Sequence, residues 1–159
     1  MTGKYTGWDG DAPGKRRGTE KLVELLTQRY GFTNLGTWGV RPMRGSSRPS
    51  VHGTGRAADL GWKNPANAAL VAQWMIDNFP FLEELHDYAG TTKKGCETWG
   101  RGYRIGRGWK DYTATDNAGT PGASSRWYHI EVAPGPFADD DRAVVKFWKT
   151  LTKLDVRVD

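Results

Sequence analysis

Trp127-Tyr128-His129-Ile130-Glu131-Val132 alternates with a period of two and is closed by Pro134 and Pro136. That pattern reads as a β-strand. Residues two apart on a strand share a face, roughly 7 Å apart along it. Trp127, His129 and Glu131 therefore point the same way. Outward from this strand, Ala57 to Trp62, Phe81 to Tyr88 and Tyr103-Arg104-Ile105 read as further short strands. Residues 34–42 carry Leu35, Trp38 and Val40 and end at Pro42, which predicts another.

Three segments have helical spacing instead. Leu22, Val23, Leu25, Leu26 and Tyr30 lie between Thr19 and a natural stop at Gly31. Asn64-Pro65 is a helix start, since Asn caps and Pro is tolerated in the first turn. Leu70, Val71, Trp74 and Met75 then give that helix a buried face, and Pro80 follows its end. Asp139-Asp140-Asp141 opens the last helix, where acids suit the positive helix end, and Val144, Val145, Trp148 and Leu151 form its apolar side. The expected fold is α+β, a small, mostly antiparallel sheet with about three packed helices. Residues 1–17, rich in Gly, Lys and Asp, read as an extended arm, and 18–159 as a single domain. Residues 43–50 read as a polar loop. Residues 89–125 are the least regular stretch, and a loop of that length is often functional.

The 159 residues fit one domain. A chain of this size can bury roughly 70% of its unfolded surface, and eight Trp, six Tyr and five Phe supply bulky core material. No apolar run approaches the ~20 residues of a membrane span, so no membrane partner is expected. The polar start, Met1-Thr2-Gly3-Lys4-Tyr5, leads to the expectation of no secretory signal peptide. The one cysteine, Cys96, excludes an intramolecular disulfide framework and any multi-Cys zinc finger. The net charge of +5 favours polyanionic surroundings: nucleic acid, anionic lipid or an anionic cell wall.

The chain has three histidines, His52, His86 and His129. A catalytic zinc needs about three protein ligands and an open position for water. His52 and Asp59 are seven residues apart with glycines between them. A ligand before such a turn and one on the following strand can converge, and His129 would come from a separate strand. A carboxylate near the metal, such as Glu131, is what metal-assisted hydrolysis uses as general base. The same carboxylate can instead orient a ligand. His86 is open to three readings: a fourth ligand, a substrate contact, or a simple hydrogen-bonding side chain.

Ser50 to Leu60 closely resembles the signature of the D-alanyl-D-alanine carboxypeptidase-like zinc peptidases, Ser-x-His-x-x-Gly-x-Ala-x-Asp. Ser50, His52, Gly55, Ala57 and Asp59 match every fixed position. The group includes vancomycin-resistance dipeptidases, phage L-alanyl-D-glutamate endopeptidases and the related hedgehog fold. Its third ligand is a histidine on a late strand, commonly preceded by Trp and followed by an acid, and His129 in Trp127-Tyr128-His129-Ile130-Glu131 resembles it. An upstream arginine is held to stabilise substrate or oxyanion, and Arg41 resembles that residue. One departure stands out. Many relatives place the catalytic acid three residues before the last histidine, or another histidine two before it, and here those positions hold Arg126 and Trp127. The base is then Glu131 or an acid from elsewhere (Asp87, Glu97 or Asp116), or the enzyme is impaired.

The resemblance implies Zn²⁺ held by His52, Asp59 and His129, with Arg41 as a catalytic residue and a peptidoglycan peptide as substrate, while the strand face shared with His129 favours Glu131 as the catalytic acid. It further implies a phage protein, either an endolysin released from the host cytoplasm with a holin or a virion or tail component touching other virion proteins. Two other classes compete. One is an inactive, zinc-stabilised structural or wall-binding virion protein. The other is a nucleic-acid-binding domain using aromatics Trp99, Tyr103, Trp109 and Tyr112 interleaved with Arg101, Arg104, Arg107 and Lys110. Core packing or a peptidoglycan groove explains that interleaving first, so no specific nucleic-acid partner is expected.

Overall fold

A computed structural model describes residues 3–93, 100–113 and 125–159. Its elements, in chain order, are α1 (Arg17–Tyr30), β1 (Thr33–Gly36), β2 (Ala57–Gly61), α2 (Pro65–Asn78), β3 (Leu82–Asp87), β4 (Arg101–Arg104), β5 (Gly108–Asp111), β6 (Trp127–Val132), α3 (Pro136–Asp139) and α4 (Asp141–Thr150). A 3-10 turn, Val51–Thr54, precedes β2. The fold is α+β: one six-stranded sheet in the order β1-β2-β6-β3-β4-β5, every pair antiparallel, with α1, α2 and α4 as its long helices.

The helices begin and end where local chemistry demands. Gly31 closes α1 in the left-handed conformation, its N–H bonded to the Thr27 carbonyl. The Asn64 side chain accepts from the Asn67 N–H at 3.0 Å, and Pro65 opens α2. Asp140 caps α4 through the Arg142 N–H. Leu22, Val23 and Leu26 of α1 and Val71, Ala72 and Met75 of α2 are buried. They pack with Ala58, Leu60, Leu85, Tyr128, Ile130 and Val132 of the sheet in one core. Aromatic rings continue that core at one end, with Phe81 stacked on Phe137 at 4.3 Å and Trp74 edge-on to Tyr30 at 5.3 Å.

Two expected strands differ from what forms. The stretch 34–42 is extended only to Gly36. The register of β1 against β2 shifts at that glycine, whose φ of 137° turns the chain off the sheet edge. Residues 37–49 then run along the 3-10 turn, with one isolated bridge between Pro42 and Pro49. Tyr103-Arg104-Ile105 is one arm of a hairpin, β4 and β5, joined through Gly106 at φ 79°. The sequence reading found only one arm because β5 offers little alternation. The arm over 3–16 holds no helix or strand, yet it closes onto the domain through side-chain and backbone bonds described below.

Antiparallel register determines what the open face of the sheet carries. Asp59 of β2 pairs with His129 of β6, which pairs with His86 of β3. One pleat further, Glu131 pairs with Glu84, and Glu84 with Arg104 of β4. Adjacent strands lie about 4.8 Å apart. Two rows of polar side chains therefore stand side by side on one face, while Ala58, Ile130 and Leu85 form the matching row on the core face.

Candidate metal centre

His52 reaches this face from the 3-10 turn. The turn is built by the sequence around it. Ser50 Oγ accepts from the His52 N–H at 3.2 Å, and Thr54 Oγ1 donates to the Val51 carbonyl at 2.7 Å. Gly55 ends the turn at φ 74°, a conformation that suits glycine. Ser50 thus does backbone work.

The two ligand histidines are each fixed from behind. His52 Nδ1 lies 2.9 Å from the Thr37 carbonyl, which can only accept, so Nδ1 carries the proton. His52 Nε2 then faces Asp59, 3.2 Å away. His129 Nε2 meets Glu131 Oε1 at 2.9 Å, and its Nδ1 meets Asp59 Oδ1 at 3.0 Å. The ligand atoms of His52, Asp59 and His129 all lie within 4.8 Å of one another. Such backing of the far ring nitrogen is the usual outer support of metal-binding histidines. Two imidazole rings and one carboxylate, held in orientation from behind, fit a divalent metal of the zinc type.

Charge follows from the same contacts. Burial raises the Asp59 pKa, but hydrogen bonds from His129 and His52 outweigh that and hold it well below the usual carboxylate range. Burial disfavours a charged His129, yet its bonds to Asp59 and Glu131 prevail and push its pKa up to about 10. In the metal-free chain His129 is an imidazolium held between two carboxylates. A metal at this position replaces that proton.

Beside the triad sits a second group. His86 Nε2 contacts Glu84 Oε1, and Arg104 Nε donates to Glu84 Oε2 at 2.5 Å. Burial opposes the Glu84 charge, but these two partners hold its carboxyl low. The His86 Nδ1 contacts the Tyr112 hydroxyl. That approach requires Gly102 on β4, because a Cβ there would lie 2.1 Å from the Tyr112 oxygen. The His86 and His129 rings are 5.2 Å apart. Tyr88 stacks on His86 at 5.4 Å and packs against Trp127 at 4.5 Å. The ligand atoms of His86, His129 and Glu131 also fall within 4.8 Å of one another.

These groups form the floor of a cavity of about 430 Å³. Its walls carry Arg41, Arg44, Arg107 and Lys110. Arg41 and Arg44 are exposed and form no ion pair among the described residues.

Most expected site residues come together here: His52, Asp59, His129, Glu131, Arg41 and also His86. Glu131 has both oxygens engaged, since Tyr5 Oη donates to Oε2 at 2.9 Å. Of the two roles open to Glu131 from the sequence, its contacts are those of the residue that orients a ligand. Asp87 lies on the core side, fully buried, and accepts from Thr91 and Thr92. It does not reach the cavity. Arg126 is exposed and does not line the cavity, and Trp127 forms part of the wall. Glu97, Asp116, Cys96 and Trp99 lie outside the described residues. Of the interleaved aromatics and cations, Tyr103 is buried, Arg101 lies over Trp109 at 4.0 Å and Arg104 over Tyr5 at 3.9 Å, while Arg104, Arg107, Lys110 and Tyr112 line the cavity. Sequence reading missed Tyr5, Glu84 and Tyr88, and named Tyr112 only among the interleaved aromatics. Glu84 and Tyr88 share parity with His86 on β3 and were legible on that ground, whereas Tyr5 and Tyr112 reach the site through tertiary packing alone.

No protein-family model, no curated protein and no solved structure matches this chain.

Proposed function

We propose that the protein is a zinc-dependent peptidase that cleaves peptidoglycan peptides. The observation that carries this reading is the convergence of His52 Nε2, Asp59 and His129 Nδ1 from three separate elements, with both imidazole rings fixed from behind. The resemblance of Ser50 to Asp59 to the D-alanyl-D-alanine carboxypeptidase-like signature supplies the reaction class. Zinc at these three residues would polarise the scissile carbonyl and lower the pKa of a water toward ~7.

The chain's own residues supply the remaining parts. Glu131 holds His129 in place. His86, backed at Nε2 by Glu84, turns Nδ1 toward Tyr112 on the cavity side. Once the Tyr112 hydroxyl gives way to water at Nδ1, His86 would take a proton from the attacking water and return it to the leaving amine. Arg41 at the mouth binds a substrate carboxylate or the developing oxyanion. The cationic walls suit the carboxylates of stem peptides, and their longer-range attraction to anionic wall polymers weakens with salt. The same resemblance supports a phage origin, as an endolysin or a virion-borne wall hydrolase.

A second reading rests on Arg126, which replaces the acid of many relatives and is absent from the cavity lining. It makes the protein a zinc-stabilised wall-binding or structural virion module. Metal content and peptide release from purified sacculi, measured on the wild type and His129→Ala, decide between them. One zinc with peptide release, both lost in the variant, is the expected result. Zinc without release supports the inactive module, and no zinc removes both readings.

A further inference from the structure

The N-terminal arm brings Tyr5 to the edge of the metal centre. We propose that Tyr5 is a positioning residue of that centre, its hydroxyl holding Glu131 so that Glu131 in turn holds His129 with Nδ1 toward Asp59 and His52. The inference rests on the metal-site reading above and adds a residue that the signature does not contain.

The geometry is a continuous relay. Tyr5 Oη donates to Glu131 Oε2 at 2.9 Å, Glu131 Oε1 faces His129 Nε2 at 2.9 Å, and His129 Nδ1 faces Asp59 Oδ1 at 3.0 Å. Glu131 is buried at the cavity floor, so an oxygen that lost its donor would exchange a fixed partner for a mobile cavity water at best. A carboxylate bonded through one oxygen only is also free to swing about its terminal torsion. Burial, with the charge of Glu131 beside it, pushes the Tyr5 pKa up, so Tyr5 remains a neutral donor.

Tyr5 is itself firmly placed. The Arg104 guanidinium lies 3.9 Å from its ring centre, and Arg104 is tied to Glu84 beneath His86. Next in sequence, Thr6 donates twice to Glu83, from its N–H at 3.1 Å and its hydroxyl at 2.6 Å. Glu83 is the extra residue where β3 shifts register against β6, which frees its side chain for this contact. The fully buried Arg56 donates to the Gly7 carbonyl and to Asp9 at 3.0 Å. Farther along, the Ala12 N–H bonds the Gly53 carbonyl at 2.8 Å, beside His52. The arm therefore grips the domain behind both ligand histidines. Deleting it would strip the buried Arg56 and Glu83 of the arm's bonds and leave them only each other, at 3.6 Å, and the Val132 carbonyl, so a truncated chain is a poor test. A single hydroxyl is the better perturbation.

Tyr5→Phe keeps the ring and its contact with Arg104 and removes only the donor. Zinc affinity is measured by competition with a chromophoric chelator on the wild type, Tyr5→Phe, Glu131→Gln and the double variant, with circular dichroism as the fold control. The expected result is a native fold, one zinc per chain and affinity in Tyr5→Phe roughly tenfold weaker, the low end of what outer-partner loss costs. In the Glu131→Gln background the same change has little further effect, because the relay is already cut. Equal affinity in wild type and Tyr5→Phe overturns the proposal. An undiminished loss in the Glu131→Gln background overturns it also, since Tyr5 would then act by another route. A wild type that binds no zinc fails at the earlier step and overturns the metal reading itself.

Discussion

The proton on His129 sets how zinc binding depends on pH. In the metal-free chain Asp59 and Glu131 push its pKa up to about 10, against an ordinary value of 6.5. A metal at Nδ1 must displace that proton. At pH 7 the displacement is uphill by about three pK units, or about 4 kcal/mol at 1.36 kcal/mol per unit. Apparent zinc affinity should therefore rise about tenfold per pH unit. From pH 6.5 to pH 9 the gain is roughly 300-fold. Calorimetry at pH 7.5 in two buffers of different ionisation enthalpy should show about one proton released per zinc. The stability of the metal-free chain runs the other way. A raised histidine pKa gives stability that is complete below about 6.5 and is lost as pH rises through about 10. Added zinc should consequently raise the melting temperature by a margin that widens from pH 6.5 to pH 9. Zinc affinity that is flat across this range, with no proton released, would refute the clamped imidazolium.

Two substitutions separate the roles of the paired histidines. His86→Ala should leave zinc stoichiometry unchanged and reduce peptide turnover by 10²-fold or more, the usual scale of a lost proton-transfer group. Glu131→Gln should weaken zinc binding about tenfold or more, as loss of a ligand's outer partner does. Zinc titration and single-turnover hydrolysis on the two proteins check this, and the reverse pattern would return the base role to Glu131. At the arm, Arg56→Met leaves Glu83 buried without its guanidinium, and breaking a buried pair typically costs about 3–5 kcal/mol. Urea unfolding should show a loss of that order, and a change under about 1 kcal/mol would mean that water reaches Glu83.

The elements that follow from local chemistry were legible in the sequence. Asn64-Pro65, Gly31 and the acids before Asp141 fix helix ends through bonds made within a few residues, so α1, α2 and α4 stand close to their expected places. The alternation of 127–132 placed Trp127, His129 and Glu131 on one face, as they are. His52 and Asp59 were legible as a pair because the turn between them is short and closed by Gly55. The strand expected through 34–42 was not, since its apolar residues Leu35, Trp38 and Val40 are exposed rather than core-facing.

The sequence by itself therefore determined the helices, the parity of each central strand and the residue types of a two-histidine, one-carboxylate centre. These depend on contacts within a turn or on the two-residue period of a strand. Tertiary structure decided the rest. Strand order and register set Asp59, His129 and His86 abreast, and Glu131 beside Glu84, a matter of pairing between strands up to 70 residues apart, the span from Asp59 to His129. It also brought Tyr5 across 126 residues to Glu131. A relay of that kind has no sequence spacing to mark it, because what joins its members is the free energy of satisfying a buried carboxylate and not any local preference of the chain.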